Sequence, residues 1–275
     1  MKEKIRPVTD LLLKLQGIDV SKYDDSFLSQ AIQKRITETQ CVSVGDYCSY
    51  LEQNSQEAAI LIDSLHICYS GFFRNSLTYS VLEHIVLPSV VSKRKNTKRK
   101  EIRIWSAACA AGQESYCLAM LMEEFNNGSG LNIDYRIFAT DQNESQVNAA
   151  VKGCYSAEAL SNVSLQRSEQ WFHKQADTYL IKQDLKKNID FSAFDLLDER
   201  YSSPPVSIFG DFDLVVCANL LFYYKPGYRK KIIEKAGNSL APGRYLMTGE
   251  TERTILMHHG YREIIPQSAI FQINA

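Results

Sequence analysis

Long apolar runs are missing from this chain. No stretch of about eighteen apolar residues occurs, and the longest candidate, Leu214 to Tyr224, is too short and contains Asn219. A membrane span is therefore excluded from the expectations. The opening Met1-Lys2-Glu3-Lys4-Ile5-Arg6 lacks the apolar core of a signal peptide, so the cytoplasm is the expected location. Excess charge is missing too. Thirty-one Lys and Arg against 32 Asp and Glu leave a net charge of −1, which argues against a strongly basic nucleic-acid binder. The seven cysteines form no Cys-x-x-Cys pair. Scattered and odd in number, they suit a reducing compartment and argue against a disulfide framework or a metal site. Thirteen glycines and seven prolines are too few for a fibrous or low-complexity chain. What is present is ordinary for a globular protein: 45% hydrophobic, 23% charged and 11% aromatic residues over 275 positions. That length suits one large domain with a smaller one.

Residues 1–90 read as a small all-helical domain with a linker helix. Leu28, Ile32 and Ile36 fall on one helical face. Asn54 with Glu57 three residues on predicts a capped helix start, followed by the stripe Ala58, Leu61, Ile62 and Leu65. The basic run Lys93 to Lys100 predicts a solvated loop, with docking on an acidic surface as the other reading. Residues 91–275 change character. Strands are expected at Ile102–Ala107, Tyr135–Thr140, Asp213–Ala218, Arg244–Gly249 and Ala269–Ile273, with an amphipathic helix from Ser115 to Glu124. Their alternation predicts an α/β fold with helices on both faces of a parallel sheet. The polar stretch of about 170–190 predicts a small β insertion.

Four segments carry chemistry. Trp105 to Tyr116 follows a strand and opens a helix through small residues, where such folds bind nucleotides. Its single glycine and the absence of a Gly-Lys-Ser/Thr ending exclude the dinucleotide and phosphate-cradling motifs. Asp141 ends the second strand and suits two ribose hydroxyls, or equally caps the next helix. An adenosine-type ligand without a phosphate site points to S-adenosylmethionine. Asn219 follows a buried strand, where its amide can orient a ligand, and of Tyr223 and Tyr224 one is a packing residue. Arg74 follows Phe72 and Phe73, either as a fixed guanidinium facing a cleft or as a surface arginine lying over apolar rings.

Together these segments resemble the CheR family of chemotaxis receptor methyltransferases, over about residues 10 to 274. The carriers are Cys68-Tyr69-Ser70-Gly71-Phe72-Phe73-Arg74, Trp105 to Ala108, Gly112 to Cys117, Ala139-Thr140-Asp141, Asp195-Leu196-Leu197, Cys217 to Tyr224 and Gly249-Glu250-Thr251-Glu252. The resemblance implies a Rossmann-like SAM-dependent methyltransferase sheet with a small N-terminal all-helical domain and a small β insertion. It implies methyl transfer from S-adenosyl-L-methionine to glutamates of a bacterial chemoreceptor, leaving S-adenosyl-L-homocysteine and a glutamyl methyl ester. It places Cys68, Ser70, Arg74, Glu114, Asp141, Asp195, Leu196, Ala218 and Asn219 at the cofactor, with Arg74 and Tyr223 nearest the reacting methyl. A glutamate with a pKa of about 4.3 is already ionised at neutral pH, so no general base is needed. Alignment and exclusion of water remain for the protein to supply.

The chain departs from the family pattern at Cys68, Gln113, Ser115, Asp195 and Ala218, where the family has asparagine, glutamate, proline, asparagine and arginine. A non-catalytic regulator that binds the cofactor, and a methyltransferase for another substrate, are the alternatives. The insertion, about Phe172 to Phe191, is short and has no glycine in its loop, so the expected partner is the helical cytoplasmic region of a receptor without dependence on a C-terminal tail peptide. Residues 1–78 hold eight Lys or Arg against ten Asp or Glu, which argues against strong electrostatic steering.

Overall fold

The computed structural model describes residues 2–65, 70–95 and 100–272. The chain divides into two compact units, Met1–Ile67 with Leu220–Arg229, and Cys68–Asn219 with Lys230–Ala275.

The first unit is built on α1 (Lys2–Gln16), α2 (Asp25–Glu38), α3 (Val44–Gln53) and α4 (Ser55–Ser64). Leu28, Ile32 and Ile36 are buried on α2, as their spacing requires, and meet a core that includes Val8, Leu12, Leu51, Ala58 and Leu61. Asp24 and Ser43 cap α2 and α3 through side-chain hydrogen bonds. The capping reading at Asn54 fails in its chemistry. Asn54 precedes α4 but makes no side-chain cap bond, and its Nδ2 donates back to the Tyr50 carbonyl at 2.8 Å. Glu57 turns inward instead, 3% exposed, and accepts from Arg35 Nε at 2.8 Å, Arg35 Nη2 at 2.7 Å and the Tyr47 hydroxyl at 2.7 Å. Burial alone would raise its pKa, but these bonds outweigh it and hold the carboxyl below its usual range. The segment Leu220–Arg229 belongs to this unit. Asp24 N donates to the Tyr223 carbonyl at 2.8 Å, and Lys225 pairs with Asp25 at 3.0 Å.

The second unit opens with α5 (Ser76–Val81), a π-helical turn (Leu82–Val86) and α6 (Leu87–Lys95). Val81, Leu82, Val86, Leu87, Val90 and Val91 bury their side chains in one core with Ile102 and Ile104. The basic run that follows reads differently from a solvated loop at its start, because Lys93 and Arg94 still lie in α6. Arg94 is buried, its Nε 2.7 and 2.8 Å from the two carboxylate oxygens of Asp213. Residues 96–99 of that run lie outside the described residues.

Next come β1 (Ile102–Ala107), α7 (Gln113–Ser129), β2 (Tyr135–Asp141), α8 (Glu144–Lys152), β3 (Cys154–Ser156), α9 (Leu165–Trp171), β4 (Phe172–Gln175), β5 (Thr178–Ile181), α10 (Gln183–Lys186), β6 (Ile189–Ala193), β7 (Phe212–Cys217), α11 (Pro226–Asn238), β8 (Leu240–Thr248), α12 (Arg253–His258), β9 (Arg262–Glu263) and β10 (Ile270–Gln272). The main sheet runs β6-β2-β1-β7-β8-β10-β9. Its first five strands are parallel; β10 and β9 return antiparallel. This is a Rossmann-like α/β sheet, in a chain whose other unit is all-helical. All six residues of β1 are buried, as are all six of β7, which is why both read as mostly apolar runs, broken only by Arg103 and Ser106 in β1 and by Asp213 in β7. Helix α7 is not the amphipathic stretch its sequence suggested. Every residue from Ser115 to Met122 is buried, so that part of the helix is enclosed on all sides, and only its end toward Ser129 is exposed.

The insertion forms its own sheet, β3-β5-β4. Its hairpin turns without glycine, and Ala176 takes the left-handed φ of 50° that the turn demands. The third strand, β3, lies outside the stretch the sequence marked.

Candidate functional site

Strand order reverses between β1 and its neighbours, with β2 on one side and β7, which comes later in the chain, on the other. Ligands of open α/β sheets bind at such a switch point, at the carboxyl ends of the strands. The parallel register aligns those ends: Ser106 faces Ala139 and Val216, Asp141 faces Ala193, and Cys217 faces Thr248. Glu114 lies in the first turn of the helix after β1, Asp141 ends β2, and the loops leaving β6 and β7 carry Asp195 with Leu196 and Ala218 with Asn219.

The turn after β1 is tightly wound. Ala108, Ala110 and Gly112 all have positive φ, at 64°, 46° and 89°. For alanine each such residue costs about 1–2 kcal/mol, so the surroundings must hold it. Asp141 does much of this. Its Oδ2 accepts from Ala110 N at 2.9 Å and its Oδ1 from Asn143 N at 2.9 Å. Cys109 N donates to the Thr140 carbonyl at 2.8 Å, and the Tyr155 hydroxyl to the Ala111 carbonyl at 2.6 Å. Asp141 is not the cap of α8; Asn143 is, accepting from Ser145 N and Gln146 N. Gly112 must be glycine, since an added Cβ would stand 2.8 Å from Ala150 Cβ at a left-handed φ.

Glu114 sits in the first turn of α7. Its Oε1 accepts from Ser106 Oγ at 2.8 Å, and Ser106 Oγ accepts in turn from Ser115 Oγ at 3.1 Å. Burial pushes the Glu114 carboxyl up to about 7; the Ser106 hydrogen bond pulls it down and the Glu252 carboxylate pushes it further up. Sequence reasoning missed Ser106 and Ser115 as site residues. Ser115 occupies the place of the family's proline and has the hydroxyl that completes the relay. Gln113, where the family has glutamate, is buried, and among the described residues its Oε1 has no hydrogen-bond partner.

Asp195 and Asn219 are held by different means. Asp195 Oδ1 accepts from Leu197 N at 2.8 Å, which closes a tight turn and buries Leu196 beside it. Asn219 has a φ of 59°, and its N–H donates to Glu252 Oε2 at 2.7 Å. Glu252 was legible only as part of the Gly-Glu-Thr-Glu stretch, and the structure makes it a buried anchor.

Ser70 and Ala218 are partly exposed, whereas Cys68 lies outside the described residues. Arg74 is exposed, yet its backbone is held on both sides. Phe72 and Phe73 are buried, Phe73 has a φ of 46°, and its N–H donates to Cys117 Sγ at 3.2 Å. The face of Phe73 is covered by the Arg167 guanidinium, 4.4 Å from the ring centre. Asn75 caps α5, and its Nδ2 lies 3.4 Å from Glu250 Oε2. Tyr223 belongs to the other unit, where its ring meets Phe27 edge-on at 4.7 Å. Tyr224 is the packing residue of the pair, 3% exposed against Tyr23.

The donor set suits S-adenosylmethionine on its chemistry. That ligand carries a sulfonium, an ammonium, a carboxylate and two ribose hydroxyls. Against them the strand ends place three acidic side chains and one amide. Cationic and hydroxyl donors meet acceptors, and no phosphate cradle is present in the turn after β1.

Comparison with known proteins follows the same division. Residues 3–66 match the all-alpha domain of the CheR methyltransferases, and residues 69–270 match their SAM-binding domain. A chemotaxis protein methyltransferase of Borreliella burgdorferi is 27% identical over 268 residues, 96% of this chain and 93% of that one. One from Listeria monocytogenes is 30% identical over 239 residues, covering 87% and 86%. Chemotaxis protein methyltransferase 1 of Pseudomonas aeruginosa is 30% identical over 246 residues, covering 88% and 86%.

Proposed function

The chain belongs to the CheR methyltransferase family, and from that premise we propose that it methylates glutamate side chains of a bacterial chemoreceptor in the cytoplasm. When bound, S-adenosylmethionine supplies an electrophilic methyl on a positive sulfur that leaves as a neutral thioether. Glu114, Asp141, Asp195, Leu196, Ala218 and Asn219 would hold it at the strand ends, with Ser70 and Cys68 from the segment before α5. Asp141 suits the ribose hydroxyls. Glu114, drawn toward its ionised form by a nearby cation, suits the positive end.

Arg74 would receive the substrate. Its guanidinium offers two parallel donors to one carboxylate, a geometry a lysine lacks. Tyr223 would assist with a phenolic hydrogen bond. The glutamate is already ionised, so no residue needs to remove a proton. The observation that carries this reading is an exposed arginine on a pinned backbone in the same unit as an acid-lined sheet end. The partner is the helical cytoplasmic region of a receptor, without dependence on a tail peptide.

The test is transfer of radiolabelled methyl from the cofactor to purified receptor cytoplasmic fragments with and without their tails. Base-labile label on the fragment, released as methanol and lost in Asp141→Ala, is the expected result. Cofactor binding with no transfer to any fragment would favour the non-catalytic regulator instead.

A further inference from the structure

Glu252 is the most completely enclosed carboxylate at the strand ends, with no exposed surface. Its Oε2 accepts from Asn219 N at 2.7 Å and from Gly249 N at 3.1 Å, and lies 3.0 Å from Thr248 Oγ1. The Thr248 hydroxyl also lies 3.0 Å from the Cys217 carbonyl, so it can donate to either. The bond to Gly249 N belongs to an ordinary helical-turn cap over Glu250–Glu252. The bond to Asn219 does not. It crosses to the exit of β7, 33 residues away in the chain, and meets the N–H of a residue in the left-handed region. Gly249 completes the arrangement from the other side. A Cβ there would stand 2.5 Å from Asn219 Nδ2 and 2.9 Å from Asn219 N, so the amide side chain lies against bare backbone.

We propose that Glu252 is a positioning residue of the cofactor site, its carboxylate fastening the exits of β7 and β8 so that Asn219 keeps the backbone and amide orientation needed to meet the ligand. The inference rests on Asn219 being a cofactor contact. A buried carboxylate costs more than a neutral acceptor unless several donors share it, and here two backbone N–H groups do, with the Thr248 hydroxyl placed to add a third. Gly249 N and the Thr248 hydroxyl belong to the β8 exit and Asn219 N to the β7 exit, so the charge joins two loops rather than closing one. The same carboxylate pushes up the pKa of Glu114, which gives the arrangement a second, electrical signature. The other groups facing Glu114 are the Ser106 hydroxyl and, at longer range, Tyr79, Cys109, Cys117 and Cys217, all raised by burial and therefore neutral at neutral pH.

The test is calorimetric titration of the full chain with S-adenosylhomocysteine, with circular dichroism to confirm folding. Asn219→Ala and Glu252→Ala should each weaken binding about ten-fold, and the double variant should be no weaker than either single one. Glu252→Gln keeps an acceptor and should restore affinity to within about two-fold. Because it removes the charge, it should also move the pH inflection of binding below the wild-type value. If Glu252→Ala does not fold, Gly249→Ala provides the second arm. Its φ of −70° accepts alanine, and its Cβ, 2.5 Å from Asn219 Nδ2 and 2.9 Å from both Asn219 N and Glu252 Oε2, would part the carboxylate from Asn219. An approximately ten-fold loss in the folded Gly249→Ala variant, together with the lowered pH inflection in Glu252→Gln, supports the proposal. If Asn219→Ala weakens binding while Glu252→Ala or Gly249→Ala does not, or if the losses add, the positioning role fails and the cofactor site stands. If Asn219→Ala binds normally, the Asn219 contact and the proposal fall together.

Discussion

Glu114 is under two opposed demands. Burial disfavours its charge, while a cationic ligand would favour it. A carboxyl with its folded pKa raised to about 7 from an ordinary 4.5 is stabilising below the lower value. That contribution is lost as pH rises through about 7, where the free protein must ionise a buried group. The cost there is up to about 3 kcal/mol. Two results follow for Glu114→Gln. In thermal unfolding at pH 8 the variant without ligand should melt above the wild type, and near pH 5 the two should converge. In titration with S-adenosylmethionine the variant should bind about ten-fold more weakly at pH 8. A variant both less stable at pH 8 and equally tight would contradict the assignment. Arg74→Lys keeps the charge but loses the planar fork. Its turnover on a receptor fragment should fall ten-fold or more, with cofactor affinity changed far less; wild-type turnover would remove Arg74 from the substrate site.

At the scale of elements, the two units show different kinds of dependence on single residues. Glu57 sits where α2, α3 and α4 meet, and its replacement by alanine would leave the Arg35 guanidinium, 14% exposed, without its main partner. A loss of about 3 kcal/mol in denaturant unfolding is expected, as for other broken buried pairs. Gly112→Ala should be at least as costly, because it combines an unfavourable φ with a 2.8 Å contact to Ala150 Cβ. A fall in melting temperature of less than about 2 °C for Gly112→Ala would show that the turn gives way more easily than its packing implies. Both residues also show what the sequence could and could not say. The strands at 102–107, 135–141 and 212–217 were legible because they are predominantly apolar, with Arg103, Arg136 and Asp213 standing near their starts. The faces of α2 and α4 were legible from spacing. The inward turn of Glu57 was not, since its partner Arg35 lies 22 residues away in the chain. The same applies to Arg94, which reads as part of a solvated basic run until Asp213, 119 residues on, is brought beside it.

For the molecule as a whole, site residues were readable to the extent that they stand in contiguous motifs. Asp141, Glu114 and Asn219 sit at the ends of strands or the start of a helix, and each strand end could be located. Ser106 and Ser115 look like small turn residues until the hydroxyl chain to Glu114 is seen. Glu252 looks like one acid among several near the end of the chain. Its meaning comes from sheet order, because β7 and β8 are neighbours and their exits therefore share one carboxylate. The departures at Gln113 and Ser115 fall in α7 rather than in the turn that precedes it. Ser115 is absorbed into the hydroxyl relay, while Gln113 retains an acceptor for which the described residues supply no donor.

The most direct test of the central claim is calorimetric titration of the purified chain with S-adenosylhomocysteine, run beside Asp141→Ala. A micromolar constant, about −8 kcal/mol, that weakens ten-fold or more in the variant is the predicted result. No detectable binding by the wild-type chain would contradict it, and the acid-lined strand ends would then not be a working cofactor site.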